Sequence, residues 1–168
     1  KGIEILLEAV KQINNRKIKV FIVGTDSSDY AKKLKIDYAS SQVIFTGKQQ
    51  NIKSYLSLAD VFVIPTKDEG RKEGQPIAPI EAMLSGRMVL GSRISGIKDI
   101  LGPFQECIFE PNSVSDLKFK LEWAMQMSTN DRQLLAEKMY TFASQNYTIE
   151  NSMAKHEELY FNMLKLGK

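Results

Sequence analysis

Apolar residues recur at helical spacing from the start of the chain: Ile3, Leu6, Leu7, Val10 and Ile13 share one face, and the polar run Asn14-Asn15-Arg16 closes the segment. The pattern then tightens. Ile18 to Val23 is a compact apolar run closed by Gly24. The Thr25-Asp26-Ser27-Ser28 that follows is turn and N-cap chemistry, leading into a helix from about Asp29 to Asp37. A second short strand, Gln42 to Phe45, ends at Thr46-Gly47 and gives way to the helix-like Ile52, Tyr55, Leu56 and Leu58. Asp60-Val61-Phe62-Val63-Ile64-Pro65 has the unbroken apolar centre of a strand covered on both faces, which predicts a central parallel strand.

A charged loop, Thr66 to Gly74, delivers the chain to a predicted helix from about Gln75 to Leu84, terminated by Ser85-Gly86. Met88 to Gly91 reads as another strand. A short helix near Ile97 to Leu101, a strand near Cys107 to Phe109 and a helix after Pro111-Asn112-Ser113 follow, and the rest, through Trp123, Leu134, Met139, Ile149, Met153 and Leu159, is helical almost to the end. Strands alternating with helices imply an α/β fold, a Rossmann-like three-layer α/β/α arrangement with a parallel sheet of about six strands and a helical C-terminal tail. Residues 1–168 form a single domain in this reading. Ligands in such folds bind beyond the carboxyl ends of the strands. Gly24, Thr46-Gly47, Thr66 to Gly74 and Gly91 to Gly96 all follow predicted strand ends, so four loops are expected to meet along one edge.

Two acids sit on one of those loops, in Glu73-Gly74-Gln75-Pro76-Ile77-Ala78-Pro79-Ile80-Glu81-Ala82-Met83. Pro76 suits the first helical turn, where its missing N–H costs nothing, so Glu73 falls just before the helix and Glu81 about a turn and a half into it. Pro76 and Glu81 are then roughly 7.5 Å apart along the axis. A helix N-terminus preceded by Gly74 offers free N–H groups and partial positive charge to a phosphate. Carboxylates touching that phosphate would repel it; placed on either side of it, they would accept hydrogen bonds from sugar hydroxyls. Sugar, diphosphate and ribose in sequence describe a nucleotide sugar.

Glu73-Gly74 with Glu81-Ala82-Met83 is joined by Lys1-Gly2 with Leu6-Leu7 and Ala9, by Phe45-Thr46-Gly47, and by Leu58-Ala59-Asp60-Val61-Phe62-Val63-Ile64-Pro65. In that order and approximate spacing the chain resembles, over nearly its whole length, the C-terminal donor-binding domain of the retaining family 4 glycosyltransferases of the GT-B fold. The resemblance implies transfer of a sugar from a nucleoside-diphosphate sugar to an acceptor with retention of anomeric configuration, in cell-surface polysaccharide or glycoconjugate synthesis. It implies that Glu81 holds the ribose hydroxyls and that Glu73, the catalytic position, lies near the donor sugar. The backbone of Gly74, Gln75, Pro76 and Ile77 would face the sugar and distal phosphate. Lys1 would bind the diphosphate together with an arginine several residues upstream. The loop Gly47, Lys48, Gln49 to Gln50 would contact the base, largely through backbone groups, and Gly24 would allow close approach of the first strand turn. No cofactor and no metal site are implied. The acceptor would be held mainly by an N-terminal domain absent from these residues, so the fragment alone is expected to be inactive as a transferase.

The chain departs from the family pattern after the next strand, where Ser95-Gly96-Ile97-Lys98-Asp99 replaces Gly-Gly-x-Pro-Glu, and at Gln75-Pro76, where many members have Phe. Glu69-Gly70 copies the first acid and glycine, but position 77 is Ile, so Glu73 is preferred. The alternatives are a non-catalytic nucleotide-sugar-binding module, a GT-B epimerase half, or a flavodoxin-like binding domain.

Composition narrows the choice. The chain has 168 residues, 43% hydrophobic, enough for one core, and nothing in it resembles a linker. The net charge of +3 arises from 23 basic and 20 acidic residues mixed along the sequence, which argues against a nucleic-acid face. Cys107 is the only cysteine, so no internal disulfide forms. No apolar run approaches the ~20 residues of a membrane span and no signal peptide is visible, so the expected location is cytoplasmic, or peripheral at the membrane in the full-length protein. Lys1-Gly2 opens straight into a helical pattern without a starting Met, which reads as a piece of a longer protein. Lys67, Arg71 and Lys72 read as a solvated loop run, His156 lacks partners of metal spacing, Cys107 reads as a core residue, and Trp123, Met125 and Met127 as packing.

Overall fold

The amphipathic pattern at the start of the chain folds as read: α1 spans Ile3–Ile13 and buries Ile5, Leu6, Leu7, Ala9 and Val10. Asn14 ends it in the left-handed conformation that asparagine tolerates. The computed structural model describes residues 1–69 and 74–166. After α1 come β1 (Val20–Val23), α2 (Asp29–Tyr38), β2 (Val43–Gly47), α3 (Ile52–Leu58) and β3 (Val61–Ile64). Then follow α4 (Ile77–Leu84), β4 (Met88–Ser92), α5 (Ile97–Ile100), a 3₁₀ turn at Gln105–Cys107, β5 (Ile108–Phe109), α6 (Val114–Gln126), α7 (Thr129–Asn146) and α8 (Ile149–Leu166).

All strand pairs are parallel, but the described residues give five strands in two sheets, not about six in one. β1 pairs with β2, and β3, β4 and β5 pair in that order. The central strand is β4, every residue of which is buried, whereas β3 lies at a sheet edge with its side chains half-buried. An all-apolar run reports that both faces of a strand are covered. It carries no information about whether both backbone edges are paired, and here the two properties separate.

Helices cover the sheets from two sides. α1 packs on α6, and α4 packs on α7 and on β3 and β4. The larger core gathers Ile5, Leu6 and Ala9 of α1, Met83 of α4, the whole apolar stretch of β4, Ile97 of α5 and Leu101 just after it, and Met139 of α7. Leu7 of α1 turns the other way and closes a smaller core with Leu34 and Val43. Val20 and Ile22 of β1 touch both cores, so α1 and β1 join the two sheets. Gly91 keeps β4 close to α5: a Cβ there would lie 2.5 Å from Ile97 Cγ2 and 2.7 Å from Leu101 Cδ1.

Candidate functional site

Three features assemble at the carboxyl ends of the strands. The first joins the turns after β1 and β2. The parallel register slips between Ile22 and Val23, leaving Thr46 as an extra residue in β2. Its hydroxyl donates to the Ile22 carbonyl oxygen at 3.3 Å, and the Gly24 N–H donates to the Gly47 carbonyl oxygen at 3.1 Å. Gly47 has φ 69°, a left-handed conformation that glycine adopts without a Cβ penalty. The Gln49 amide donates to the Thr46 carbonyl oxygen at 2.7 Å, so its side chain braces the loop, while Lys48 is exposed. The predicted loop residues Gly24, Gly47, Lys48 and Gln49 therefore lie together.

The second feature is the start of α1. Gly2 has φ 77° and packs so tightly on the end of β3 that a Cβ would sit 1.9 Å from the Pro65 carbonyl oxygen. The backbone of exposed Lys1 therefore lies beside the strand end from which the acidic loop departs. Around it stands a cluster that the sequence did not announce. Lys67 pairs with Glu4 and, at 3.3 Å, with Glu69, and the Tyr30 hydroxyl donates to Glu4. Burial pushes the Glu4 carboxyl up, but the hydrogen bonds from Lys67 and Tyr30 outweigh it and hold the group below its ordinary 4.5. A depressed carboxyl contributes stability that is complete above 4.5 and lost as pH falls through the folded value. Replacing Glu4 with Gln is expected to flatten that acid limb and to cost up to about 1 kcal/mol at neutral pH. Urea unfolding of both proteins across pH 3 to 7 checks it, and parallel acid limbs would dismiss the cluster as a source of stability.

The third feature is α4. Its helix begins at Ile77, two residues later than predicted. Pro76 is the extended N-cap residue, and Pro79 sits third in the helix. That is the last position at which a missing N–H costs no helical bond, so a start at Gln75 would have put Pro79 where a bond is required. Among the described residues, α4 has neither a side-chain cap nor an acid in its first turn. Ser28, Asn51, Ser113 and Ser128 cap α2, α3, α6 and α7, and Asp99 takes the Gly96 N–H at 3.0 Å at the start of α5. The N-terminus of α1 has no side-chain cap but carries Glu4 in its first turn. Among the described residues, nothing compensates the Ile77 and Ala78 N–H groups at the start of α4.

Pro79, Ile80, Ala82 and Met83 of α4 are buried, while Ile77 and Glu81, one turn apart, share its exposed face. Gly74 and Gln75 are exposed before it, and Pro76 is half-buried. Glu73, with Gly70, Arg71 and Lys72, lies outside the described residues.

Residues 1–127 match the family model described as glycosyl transferases group 1. The chain belongs to that family. This group 1 glycosyltransferase domain is 28% identical over 174 residues to the lipopolysaccharide 1,2-N-acetylglucosaminetransferase of Salmonella typhimurium, covering 94% of the chain and 44% of that enzyme. A crystal structure of a glycosyltransferase from Rickettsia africae superimposes with a TM-score of 0.86 at 19% identity, covering 98% of this chain and 45% of the other. HepE of Anabaena in complex with UDP gives 0.81, also at 19% identity, over 95% and 45% of the two chains. The domain therefore spans less than half the length of these relatives and has their GT-B half-fold.

Elsewhere in the glycosyltransferase domain, Cys107 is buried and burial pushes its thiol up to about 12. His156 is exposed with Nδ1 2.7 Å from the Ser152 carbonyl oxygen. Among the described residues there is no cluster of acids, His or Cys able to hold a metal ion, and no helix long and apolar enough to cross a membrane.

Proposed function

We propose that the domain binds a nucleoside-diphosphate sugar and presents it for transfer to an acceptor with retention of anomeric configuration, as half of a two-domain enzyme of cell-surface glycan synthesis. The observation that carries this reading is the start of α4. A helix N-terminus that no described residue caps, with Glu81 on its open face, stands at the strand edge of a group 1 glycosyltransferase, and Lys1 lies beside the end of β3 at that same edge. UDP bound to HepE, a structure of the same fold, is consistent with a nucleoside diphosphate as the ligand.

In the reaction, the bond between the anomeric carbon and the distal phosphate oxygen breaks, and its electron pair stays on the phosphate. The acceptor hydroxyl oxygen bonds to that carbon on the face the phosphate leaves, and the hydroxyl proton passes to the departing phosphate oxygen. Lys1 and the Ile77 and Ala78 N–H groups oppose the charge growing on the leaving diphosphate, where preorganised donors contribute most. Glu81 accepts from the ribose hydroxyls, and Glu73 is the acid assigned to the donor sugar. The acceptor would be held mainly by the portion of the enzyme beyond these residues, so the 168-residue chain is expected to bind donor without transferring its sugar.

Calorimetric titration with UDP, GDP and ADP, and with the sugar nucleotides of whichever binds, tests the reading. One base is expected to give saturable binding, and the longer gene product is expected to turn over the matching sugar nucleotide. Dilution heats alone for all three nucleotides at millimolar concentration would sink it.

A further inference from the structure

The sheet of β1 and β2 is packed on one face and open on the other. Val20, Ile22, Val43 and Phe45 pack with Leu7 of α1 and Leu34 of α2 in the smaller core. The alternate positions point the other way, and there Phe21 and Ile44, opposite one another in the register, are exposed. α3 lies beside them, with the Tyr55 ring 6.1 Å from that of Phe21, centroid to centroid. Ile52 and Leu58 flank Tyr55, three residues to either side on the helix, and both are exposed, Leu58 by 74%. One exposed hydrophobe needs no explanation; a contiguous group of them marks an interaction surface.

Over the whole sequence the charges mix, but not here. Between Glu8 and Asp26, and again between Asp37 and Asp60, there is no acid. Those two stretches hold Lys11, Arg16, Lys17, Lys19, Lys48 and Lys53, more positive charge than the net +3 of the entire chain. They are also the stretches that build β1, β2 and α3. Arg16 and Lys17 are exposed in the turn before β1, and Lys53 is exposed on α3. Lys19 stands at the amino ends of both strands, where its ammonium donates to the Ser41 carbonyl oxygen. Among the described residues, none of these four cations is in an ion pair, whereas Lys32, Lys35, Lys67 and Lys118 are.

Aliphatic and aromatic side chains inside a basic rim match the surface of an anionic bilayer, whose acyl boundary takes Phe, Ile and Leu while its headgroups take Lys and Arg. A second copy fits badly, because a two-fold contact on this patch lays one basic rim on another. A nucleic acid would satisfy the cations and leave Ile44, Ile52 and Leu58 facing hydrated phosphates. We infer that the open face of β1, β2 and α3 is a docking surface for an anionic membrane. Phe21 and Ile44 are each second in their strands, so the surface lies towards the amino ends. A bilayer seated there leaves the carboxyl edge, with Lys1 and the start of α4, open to a soluble ligand. Docking does not depend on which donor the domain binds.

Flotation of the full-length gene product with vesicles tests the surface. Binding is expected to mixed phosphatidylglycerol and phosphatidylcholine vesicles, to weaken as salt rises, and to be far weaker with phosphatidylcholine alone. Lys17→Gln and Lys53→Gln are each expected to weaken it about fivefold. Leu58→Ser should weaken it about tenfold or more and leave the salt dependence unchanged. All three residues are exposed, so thermal unfolding of the variants should match the parent. Parental binding by all three variants would overturn the inference, even if another part of the protein held the bilayer. So would equal affinity for neutral vesicles, or no binding to either kind. Two further results assign the face elsewhere and also overturn it: loss of a dimer, but not of vesicle binding, in the variants, or RNA binding that the same substitutions abolish without vesicle binding in the parent.

Discussion

Alanine at position 2 is expected to destabilise the domain by about 2–5 kcal/mol and to weaken nucleotide binding with it. Two costs add. The left-handed conformation at φ 77° disfavours any Cβ, by about 1–2 kcal/mol. The new methyl would also meet a backbone atom, the Pro65 carbonyl oxygen at 1.9 Å, which cannot swing aside as a side chain would. Overpacking of this kind costs about 1–3 kcal/mol. Relief requires α1 to lift from the end of β3, and Lys1 moves with it. Gly86 supplies the control: its φ is 68°, nearly the same, but a Cβ there meets nothing within 4 Å. Gly86→Ala should therefore lose only the conformational part. Equal losses for the two variants in urea unfolding would show that the contact with Pro65 is unimportant.

Glu81→Ala is expected to lower affinity for the preferred nucleoside diphosphate by about ten- to a hundredfold, with the fold unchanged. Hydrogen bonds to a charged acceptor contribute about 1.5–3 kcal/mol, and each 1.4 kcal/mol is a factor of about ten. Stability should hold because Glu81 is exposed on α4 and alanine is the better helix former. Inorganic diphosphate separates the roles: it lacks ribose, so its weaker binding should not fall in the variant. A carboxylate that merely stood near the diphosphate would repel it, and removing it would tighten binding. Unchanged or tighter nucleoside diphosphate binding would therefore take Glu81 out of the ribose site.

Local chemistry was legible where it acts over a few residues. The spacing of Ile3, Leu6, Leu7 and Val10, the Asn14 stop, the Ser28 cap and the buried run Met88 to Leu90 each specify their own neighbourhood, and the structure follows them. The start of α4 differs from the one Pro76 suggests because Pro79 sets the limit: any start before Ile77 would put Pro79 where a helical N–H is required. Other features depend on distant partners and leave no mark on a linear pattern. Glu4, Tyr30 and Lys67 come from three elements, the Thr46 bulge needs β1 beside it, and the edge position of β3 concerns backbone pairing that side chains do not report. Of the candidate site, the glycine turns and the Lys1 end were located from sequence. Which helix N-termini were already occupied by their own caps became visible only in three dimensions.

The burial of Cys107 bears on how this domain can be studied. A thiol raised to about 12 and sealed in the core stays protonated and out of reach of alkylating reagents at neutral pH. With no other cysteine in the sequence, a thiol introduced at exposed Gln75 or Lys48 would be the sole reactive handle. A fluorophore placed there would report on the carboxyl edge of the strands without first stripping the protein of native sulfur.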